Sequence, residues 1–489
     1  MTSAALPRAA IRDLQRAVGR EHVLWRPEEI VAFEYDATIE RFAPQAVVFP
    51  GAPEEVSAVV RAARAHGLPV IPRGAGTGLS GGAVAAVGGV VVALTRLNRI
   101  LEIDARNRIA VVEPGVVNLD LSKAATPYGL TYAPDPSSQR ACTIGGNVAE
   151  NAGGPHCLAY GATTNHVLGL EVVLPDGTIT WTGGKTRLAT GYDLTGVLVG
   201  SEGTLAIVTK AVVRLMPLPE SVRTLLAIFD EVDHASNAVS AIIAHGIVPA
   251  ALEMLDREII KAVEPALHVG YPMDAGAVLL IEVEGLREAT RAQADEVRIL
   301  CLEHGAREVR LAEDSEDRER LWAGRKGAIG ALGRLAPNYY VLDGVVPRTK
   351  LPDVLRGVYV VCERAGFPVA NVFHAGDGNL HPNVLFDARV PGATERVLEI
   401  GAEIMRLCVE AGGSITGEHG VGLEKRDFMS WIFSEDDLDA MMRVKRAFVT
   451  ADAADFNPCK AFPTTKGCGE LTSQHIERMR TLFGGDLYV

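Results

Sequence analysis

Pro72-Arg-Gly-Ala-Gly-Thr-Gly-Leu-Ser-Gly-Gly-Ala83 is the stretch from which the rest of this chain can be read. Five glycines fall between Gly74 and Gly82, and the stretch continues Pro69-Val-Ile-Pro-Arg73, a run that reads as a strand. A glycine loop at a strand end lets backbone N–H groups approach a phosphate with no Cβ in the way. No Gly-Lys-Ser/Thr follows, so it is not a Walker A loop, and its spacing fits the helix-opening Rossmann fingerprint poorly. Alone, the loop suits mere flexibility as well as a ligand. Thr143-Ile-Gly-Gly-Asn-Val-Ala-Glu-Asn-Ala-Gly-Gly154, then Tyr160-Gly161, and Val199-Gly-Ser-Glu-Gly-Thr-Leu-Ala-Ile207 decide between these. Three glycine-rich turns in one domain point to one long ligand, a dinucleotide.

Around these turns, residues 7–34 read as a helical lead-in and Ala46-Val-Val-Phe-Pro50 as a short buried strand. Pro53-Glu-Glu55 opens a helix to His66, with acids in its first turn. Short β-branched runs at 90–94 and 109–112, helix signals at 118–128, then 167–174, an Asp176-Gly177 hairpin turn and 204–215 continue a βαβ-like alternation. Pro217-Leu-Pro219 reads as a boundary. Beyond it three strand-helix-strand units recur, at 225–255, 278–311 and 339–373, which predicts an α+β domain with strands on one side and helices on the other. The charged run Glu313 to Arg320 reads as a solvated helix face.

A chain of 489 residues is long for one core, so two domains are expected. Hydrophobic residues at 48% and charged residues at 22% are ordinary for a soluble protein, and a net charge of -13 argues against a nucleic-acid surface. The seven cysteines form no Cys-x-x-Cys pair, so neither an iron–sulfur cluster nor a Cys-type zinc site is encoded. They are expected to be reduced thiols in a cytoplasmic protein. No apolar leader and no unbroken membrane-spanning run is present, so contact with the inner membrane is expected only through partner subunits.

Val372-Phe-His-Ala-Gly-Asp-Gly-Asn-Leu-His-Pro-Asn383 reads as a hairpin on a two-residue Asp377-Gly378 turn of type I′. That register sets His374 directly opposite His381, with Cβ atoms roughly 5 Å apart. With Glu418 from Gly417-Glu-His-Gly420 the two imidazoles make a two-histidine, one-carboxylate metal site, leaving His419 over. Zinc, iron and manganese all suit such donors. A hairpin whose histidines merely pack is the plain alternative.

The Pro72 loop, Gly145-Gly-Asn147 with Asn151-Ala-Gly-Gly154, Gly200-Ser-Glu-Gly-Thr-Leu205, His374-x-Gly-Asp-Gly-Asn-x-His381, Gly417-Glu-His-Gly420 and Phe456-Asn-Pro458 span nearly the whole chain. In that order they resemble the FAD-linked 2-hydroxy-acid dehydrogenases of the vanillyl-alcohol oxidase type, the group of the glycolate oxidase FAD subunit and of D-lactate and D-2-hydroxyglutarate dehydrogenases. The resemblance implies a two-domain α+β flavoprotein. An FAD-binding domain would span 1–219, with its core from about 42. A cap domain with an antiparallel sheet flanked by helices and the metal site would span 220–444, and a segment returning to the flavin 445–489.

Carried over by position, the resemblance implies that Arg73, Gly74, Ala75, Gly76, Thr77 and Gly78 cradle the pyrophosphate, with Ser80 and Gly81 continuing the loop. Pro134, Asp135, Pro136, Ser137, Gly146, Asn147, Asn151, Ala152, Gly153 and Tyr160 would line the flavin, with Glu202 and Ile207 toward the adenine-ribose end. Relatives with covalent flavin carry histidine in the first loop, so Thr77 implies non-covalent FAD. Two positions depart from the family: Cys459 stands where glycine is usual, and Ile329 where hydroxyglutarate relatives place threonine. The second tilts the substrate toward a small monoacid.

The chemistry expected is oxidation of glycolate or D-lactate to the 2-keto acid. A divalent metal on His374, His381 and Glu418 would acidify the hydroxyl, His419 would be the general base, and flavin would take the hydride. Arg325 is the expected fork for the substrate carboxylate, with Lys326 and Arg348 as second choices and Asn383 as a substrate or metal contact. Reduced flavin then needs an acceptor: an iron–sulfur subunit, a second flavin-type subunit, a quinone or another carrier. D-2-hydroxyglutarate oxidation, a flavin-free metal hydrolase and a non-catalytic flavin subunit are the competing readings.

Overall fold

The computed structural model of the chain describes residues 6–186, 190–449, 454–458 and 460. They fall into two compact units. The first takes Met1–Gly153, Gly161–Leu218 and the segment from Glu418; the second takes Gly154–Tyr160 and Pro219–Gly417.

In the first unit, helix α1 (Arg8–Val18) buries Ala10, Leu14 and Val18, one stripe at four-residue spacing, and packs on α2 (Pro53–Ala65). The helical lead-in ends early: Gly19 takes φ 90°, and β1 (Val23–Leu24) follows within the span expected to be helix. Strands β2 (Ala46–Val48), β3 (Val70–Arg73) and β4 (Val90–Ala93) run parallel, in the sheet order β1-β2-β4-β3. Phe456 is fully buried beside Val70, whose N–H and C=O bond Asp455 and Asn457.

The βαβ reading fails beyond residue 100. Strands β5 (Ile100–Asp104), β6 (Ile109–Val112), β7 (Val167–Val173), β8 (Ile179–Gly183) and β9 (Ile207–Arg214) form a second sheet in the order β5-β6-β9-β7-β8, and every neighbour is antiparallel. The connections 105–108 and 174–178 are too short for a crossover helix, which parallel strands require. The second of these is the expected hairpin, with Gly177 at φ 86°. Helices α3 (Asn118–Ala125) and α4 (Ile144–Glu150) lie between β6 and β7 in the chain.

The second unit is built on nine antiparallel strands: β10 (Ser221–Phe229), β11 (Ala251–Asp256), β12 (Ala277–Gly285), β13 (Ala306–Leu311), β14 (Asn338–Val341), β15 (Gly344–Val345), β16 (Val369–His374), β17 (Asn379–Leu380) and β18 (Pro382–Phe386). Their order is β13-β10-β12-β11-β16-β17-β15, with β18 pairing both β16 and β14. The helices are α5 (Val232–Ala244), α6 (Arg257–Leu267), α7 (Arg287–Glu303), α8 (Ser315–Ala331), α9 (Leu351–Ala365) and α10 (Ala393–Glu410).

Register places Leu226, Ile228, Leu255, Leu280 and Val372 on one face, where Ile259 and Val263 of α6 and Leu321 and Ala328 of α8 complete a core. The opposite face, with Leu225, Ala227 and Phe229, is buried too, and Thr290 of α7 bonds Ser221 there. Helices therefore cover both faces, not one.

Glu282 of β12 lies on the α8 side and is fully buried. It accepts from Thr224 Oγ1 at 2.7 Å, from Arg318 Nε and Nη2 at 2.8 Å each, from Trp322 Nε1 at 2.8 Å and from His156 Nε2 at 3.4 Å. Arg318 thus turns inward from a run expected to be only solvated. Burial alone would raise the carboxyl's pKa, but the bonds from His156 and Arg318 outweigh it and hold the group well below the carboxylate range. A pKa lowered on folding adds stability above the unfolded value and loses it as pH falls through the folded one. Glu282→Gln is therefore expected to melt earlier at neutral pH, yet to lose less on acidification below about pH 4, in thermal melts followed across pH.

Candidate active site

The hairpin forms, but in another register. His374 pairs with Asn379, and 375–378 make a four-residue turn in which Gly378 takes φ 80° while Asp377 keeps negative φ, so the turn is not type I′. A Cβ on Gly378 would meet the Val346 carbonyl oxygen at 2.2 Å, and Val346 N–H bonds the Gly378 carbonyl. The slip is two residues, an even number, so His374 and His381 stay on one sheet face as a diagonal pair. Their rings meet edge to face with centroids 5.2 Å apart.

Both imidazoles are held by Nδ1. His374 Nδ1 lies 2.8 Å from Glu253 Oε1, and His381 Nδ1 lies 3.1 Å from the Leu342 carbonyl. Each partner is an acceptor, so each Nδ1 carries a hydrogen, and in the neutral ring the lone pair then sits on Nε2, the form that ligates a metal. A ring nitrogen of each lies within 4.8 Å of one on the other, a span one divalent ion can bridge. The donor chemistry fits zinc, iron or manganese.

Glu253, opposite His374 in the sheet, is fully buried and also accepts from Arg325 Nε at 2.5 Å. Burial would raise its pKa, but the charges of Arg325 and His374 together bring it below the usual value. Arg325 is 3% exposed, and among the described residues its two Nη groups make no hydrogen bond. A desolvated guanidinium with an unspent donor edge can serve as a carboxylate fork. Lys326 instead points outward over the Trp322 ring at 5.5 Å, and Arg348 bonds the Gly376 carbonyl at 3.3 Å. Asn383, fully buried, gives its amide N–H groups to Ala370 and His381 carbonyls, while its Oδ1 has no hydrogen-bond partner among the described residues. Ile329 packs against the apolar core of α6 and α8.

In the first unit the glycine loop leaves β3 as expected, and residues 74–79 are only partly covered. Gly76 takes φ 71°, with the Arg73 guanidinium where a Cβ would point, and around Gly78 there is open space. Arg73 is buried and donates to the Tyr35 and Ala83 carbonyls, so any phosphate contact in this loop falls to backbone N–H groups. Thr143 caps α4 by accepting from Gly146 N–H, Asn151 follows in the left-handed region, and Asn147 Nδ2 is buried with no N or O hydrogen-bond partner among the described residues. These features fit an FAD pyrophosphate and ring. Ala152 is fixed through Thr163, Ser80 bonds Glu150, and Ile207 is buried in the core, so its side chain offers no ligand surface. Tyr160 belongs to the second unit. Cys459 lies outside the described residues.

Glu202 is spent otherwise than expected. Its carboxylate accepts from Val421 and Gly422 N–H at 2.7 Å each, and its carbonyl from Asn457 Nδ2 at 2.6 Å. Lys460 Nζ, which burial pushes down to about 7, bonds the Gly82 and Val84 carbonyls at 2.6 Å. In the second unit, Asp343 accepts from Thr416 Oγ1 at 2.6 Å and Gly417 N–H at 3.1 Å. Glu418 and His419, 3.7 Å apart at their nearest charged atoms, precede the anchored Val421 and Gly422 of the first unit, with Gly420 between.

Residues 44–183 match the family model described as an FAD binding domain, and 218–460 match that of the FAD linked oxidases, C-terminal domain. The glycolate oxidase subunit GlcD of Escherichia coli is 46% identical, over 94% of this chain and 92% of that protein. GlcD of Bacillus subtilis is 41% identical, over 88% and 92%. The chain belongs to the FAD-linked oxidases. A D-lactate dehydrogenase of Archaeoglobus fulgidus is also similar, 36% identical over 85% of this oxidase and 93% of that chain. The 4-ethylphenol oxidase of Gulosibacter chungangensis (TM-score 0.79, 19% identity, 95% and 99% covered) and p-cresol methylhydroxylase (0.79, 16%, 92% and 96%) share its vanillyl-alcohol-oxidase-type fold.

An FAD-linked oxidase is an oxidoreductase, which excludes the flavin-free hydrolase. Among the described residues no helix is long and apolar enough to cross a membrane. Two acids of this oxidase escaped the sequence reading. Glu253 interrupts the apolar run Ala251–Leu255 on its buried face, a signal that was there to be read. Asp343, in Leu342-Asp-Gly344, carries no comparable signal.

Proposed function

We propose that this FAD-linked oxidase converts a small 2-hydroxy acid, glycolate or D-lactate, to the 2-keto acid. The observation that carries the reading is the buried Arg325, its Nη edge unspent, on the helix whose partner Glu253 also holds His374. A 2-hydroxy acid asks for a carboxylate fork, a grip on its hydroxyl, and acceptors for a proton and a hydride. Arg325 is the fork, in preference to Lys326 and Arg348, whose cations are turned elsewhere. Asn383 Oδ1 is an acceptor for a substrate or ligand donor.

His374, His381 and Glu418 would hold a divalent ion, which supplies positive charge that lowers the pKa of the substrate hydroxyl. FAD, held non-covalently at the glycine loops, supplies the two-electron acceptor. His419 takes the hydroxyl proton. Apolar Ile329 favours a monoacid over hydroxyglutarate. With no cluster motif in the chain, electrons leave to a partner: an iron–sulfur subunit, a second flavin-type subunit or a quinone. The names of the GlcD and D-lactate dehydrogenase relatives support this reading, and the word subunit in the GlcD name supports a partner protein.

Anaerobic bleaching of the visible flavin band by a panel of D- and L-2-hydroxy acids tests it. Glycolate or D-lactate should bleach fastest, and chelation should keep the colour but stop the bleaching. If no 2-hydroxy acid bleaches the protein, the reading fails. Acid precipitation is expected to leave the flavin in the supernatant, since Thr77 offers no ring nitrogen or thiol for a covalent link; flavin in the pellet would contradict this.

A further inference from the structure

We propose that Glu253 is a positioning residue that serves two halves of the site at once, fixing His374 as an Nε2 donor and aiming the Arg325 fork. This rests on the hydroxy-acid reading above. The geometry is specific: Oε1 lies 2.8 Å and Oε2 3.0 Å from His374 Nδ1, while Oε2 takes Arg325 Nε at 2.5 Å. A carboxylate is acceptor-only, with about four lone-pair sites, so one group can take hydrogens from both neighbours. By taking the Nδ1 hydrogen it leaves the imidazole lone pair on Nε2. By taking Nε–H it pins the guanidinium plane and leaves the Nη groups for another acceptor.

A purely structural ion pair is the competing account, and the molecule contains its own control. Glu282 lies on the same face of the adjacent strand, opposite Ala251, equally buried and bonded by four residues where Glu253 is bonded by two. Its partners Thr224, Arg318, Trp322 and His156 include no candidate ligand or fork. If burial and pairing were all that mattered, the two acids would behave alike.

Glutamine at 253 has a single acceptor oxygen, and its NH2 must face one of two donors. Glu253→Gln is therefore expected to weaken zinc binding to the FAD-loaded protein about 10–100-fold, measured by competition with a chromogenic chelator. KM for D-lactate should also rise. Arg325→Met, which leaves His374 on Glu253, should raise KM but hold zinc affinity within a few-fold. Glu282→Gln should lower the melting temperature and leave zinc affinity unchanged.

Should Glu253→Gln fold poorly with an unpaired guanidinium inside, the double variant Glu253→Gln/Arg325→Met removes that cation, and its zinc affinity should still be reduced. Wild-type zinc affinity in whichever of these two folds overturns the proposal. So does an equal loss in Glu282→Gln, which would mean general loosening. The functional reading fails separately, if wild-type flavin is not bleached by any 2-hydroxy acid; the zinc comparison between Glu253 and Glu282 variants still decides the role of Glu253.

Discussion

Replacing His419 with asparagine is expected to slow flavin reduction by substrate about 10²–10⁴-fold while FAD and metal stay bound, because Asn can hydrogen-bond but cannot carry a proton away. The backbone around His419 is built to hold a group still. Gly417 N–H is bonded to Asp343 on one side, and Val421 and Gly422 N–H to Glu202 on the other. Both acids are 4% exposed or less, so their bonds do not compete with water. Fixing the backbone two residues beyond His419 limits the freedom its side chain must lose, the kind of preorganisation that proton transfer needs. The measurement is anaerobic stopped-flow reduction with D-lactate, beside flavin content and chelator-extractable metal. Reduction at the wild-type rate would remove His419 from the mechanism. Loss of metal in the variant would instead point to a ligand role.

What the sequence made legible follows from what is local. The glycine loop leaves β3, and His374 and His381 share a face, because positive φ, turn residues and a period of two are properties of neighbours. The exact register was not legible, since a turn of two residues and a turn of four can both be written around Asp377-Gly378. The error was harmless because it was even; a slip of one would have sent one histidine to the opposite face. Strand direction was lost between residues 100 and 215 because apolar runs do not encode it, although the four-residue connection after Asp104 did. Least legible were the acids behind the site. Glu253 meets His374 from 121 residues away and Arg325 from 72, and Glu202 meets Val421 from 219. Such pairings come from sheet order and helix placement, which one sequence does not reveal. For the same reason Arg318, read as solvated, closes on buried Glu282.

Arg325→Lys should separate charge from geometry. Lysine keeps a cation for Glu253, so the fold should survive with little change in melting temperature. It cannot, however, bond Glu253 and still present two parallel donors to a substrate carboxylate. A hydrogen bond to a charged group is worth about 1.5–3 kcal/mol, and each ~1.4 kcal/mol is tenfold, so losing the fork should cost about 10²-fold in kcat/KM for D-lactate. Most of that should appear in KM, because the carboxylate is gripped alike before and during hydride loss. Arg325→Met behaves differently: it strands the Glu253 carboxylate with His374 alone, and an uncompensated buried charge costs about 3–5 kcal/mol, so its melting temperature should fall as well. Steady-state kinetics with an artificial electron acceptor and thermal melts on both variants check this. A lysine variant with wild-type KM would mean that Arg325 only neutralises Glu253, and the fork would then have to be sought at Arg348, whose guanidinium already reaches the hairpin turn through the Gly376 carbonyl.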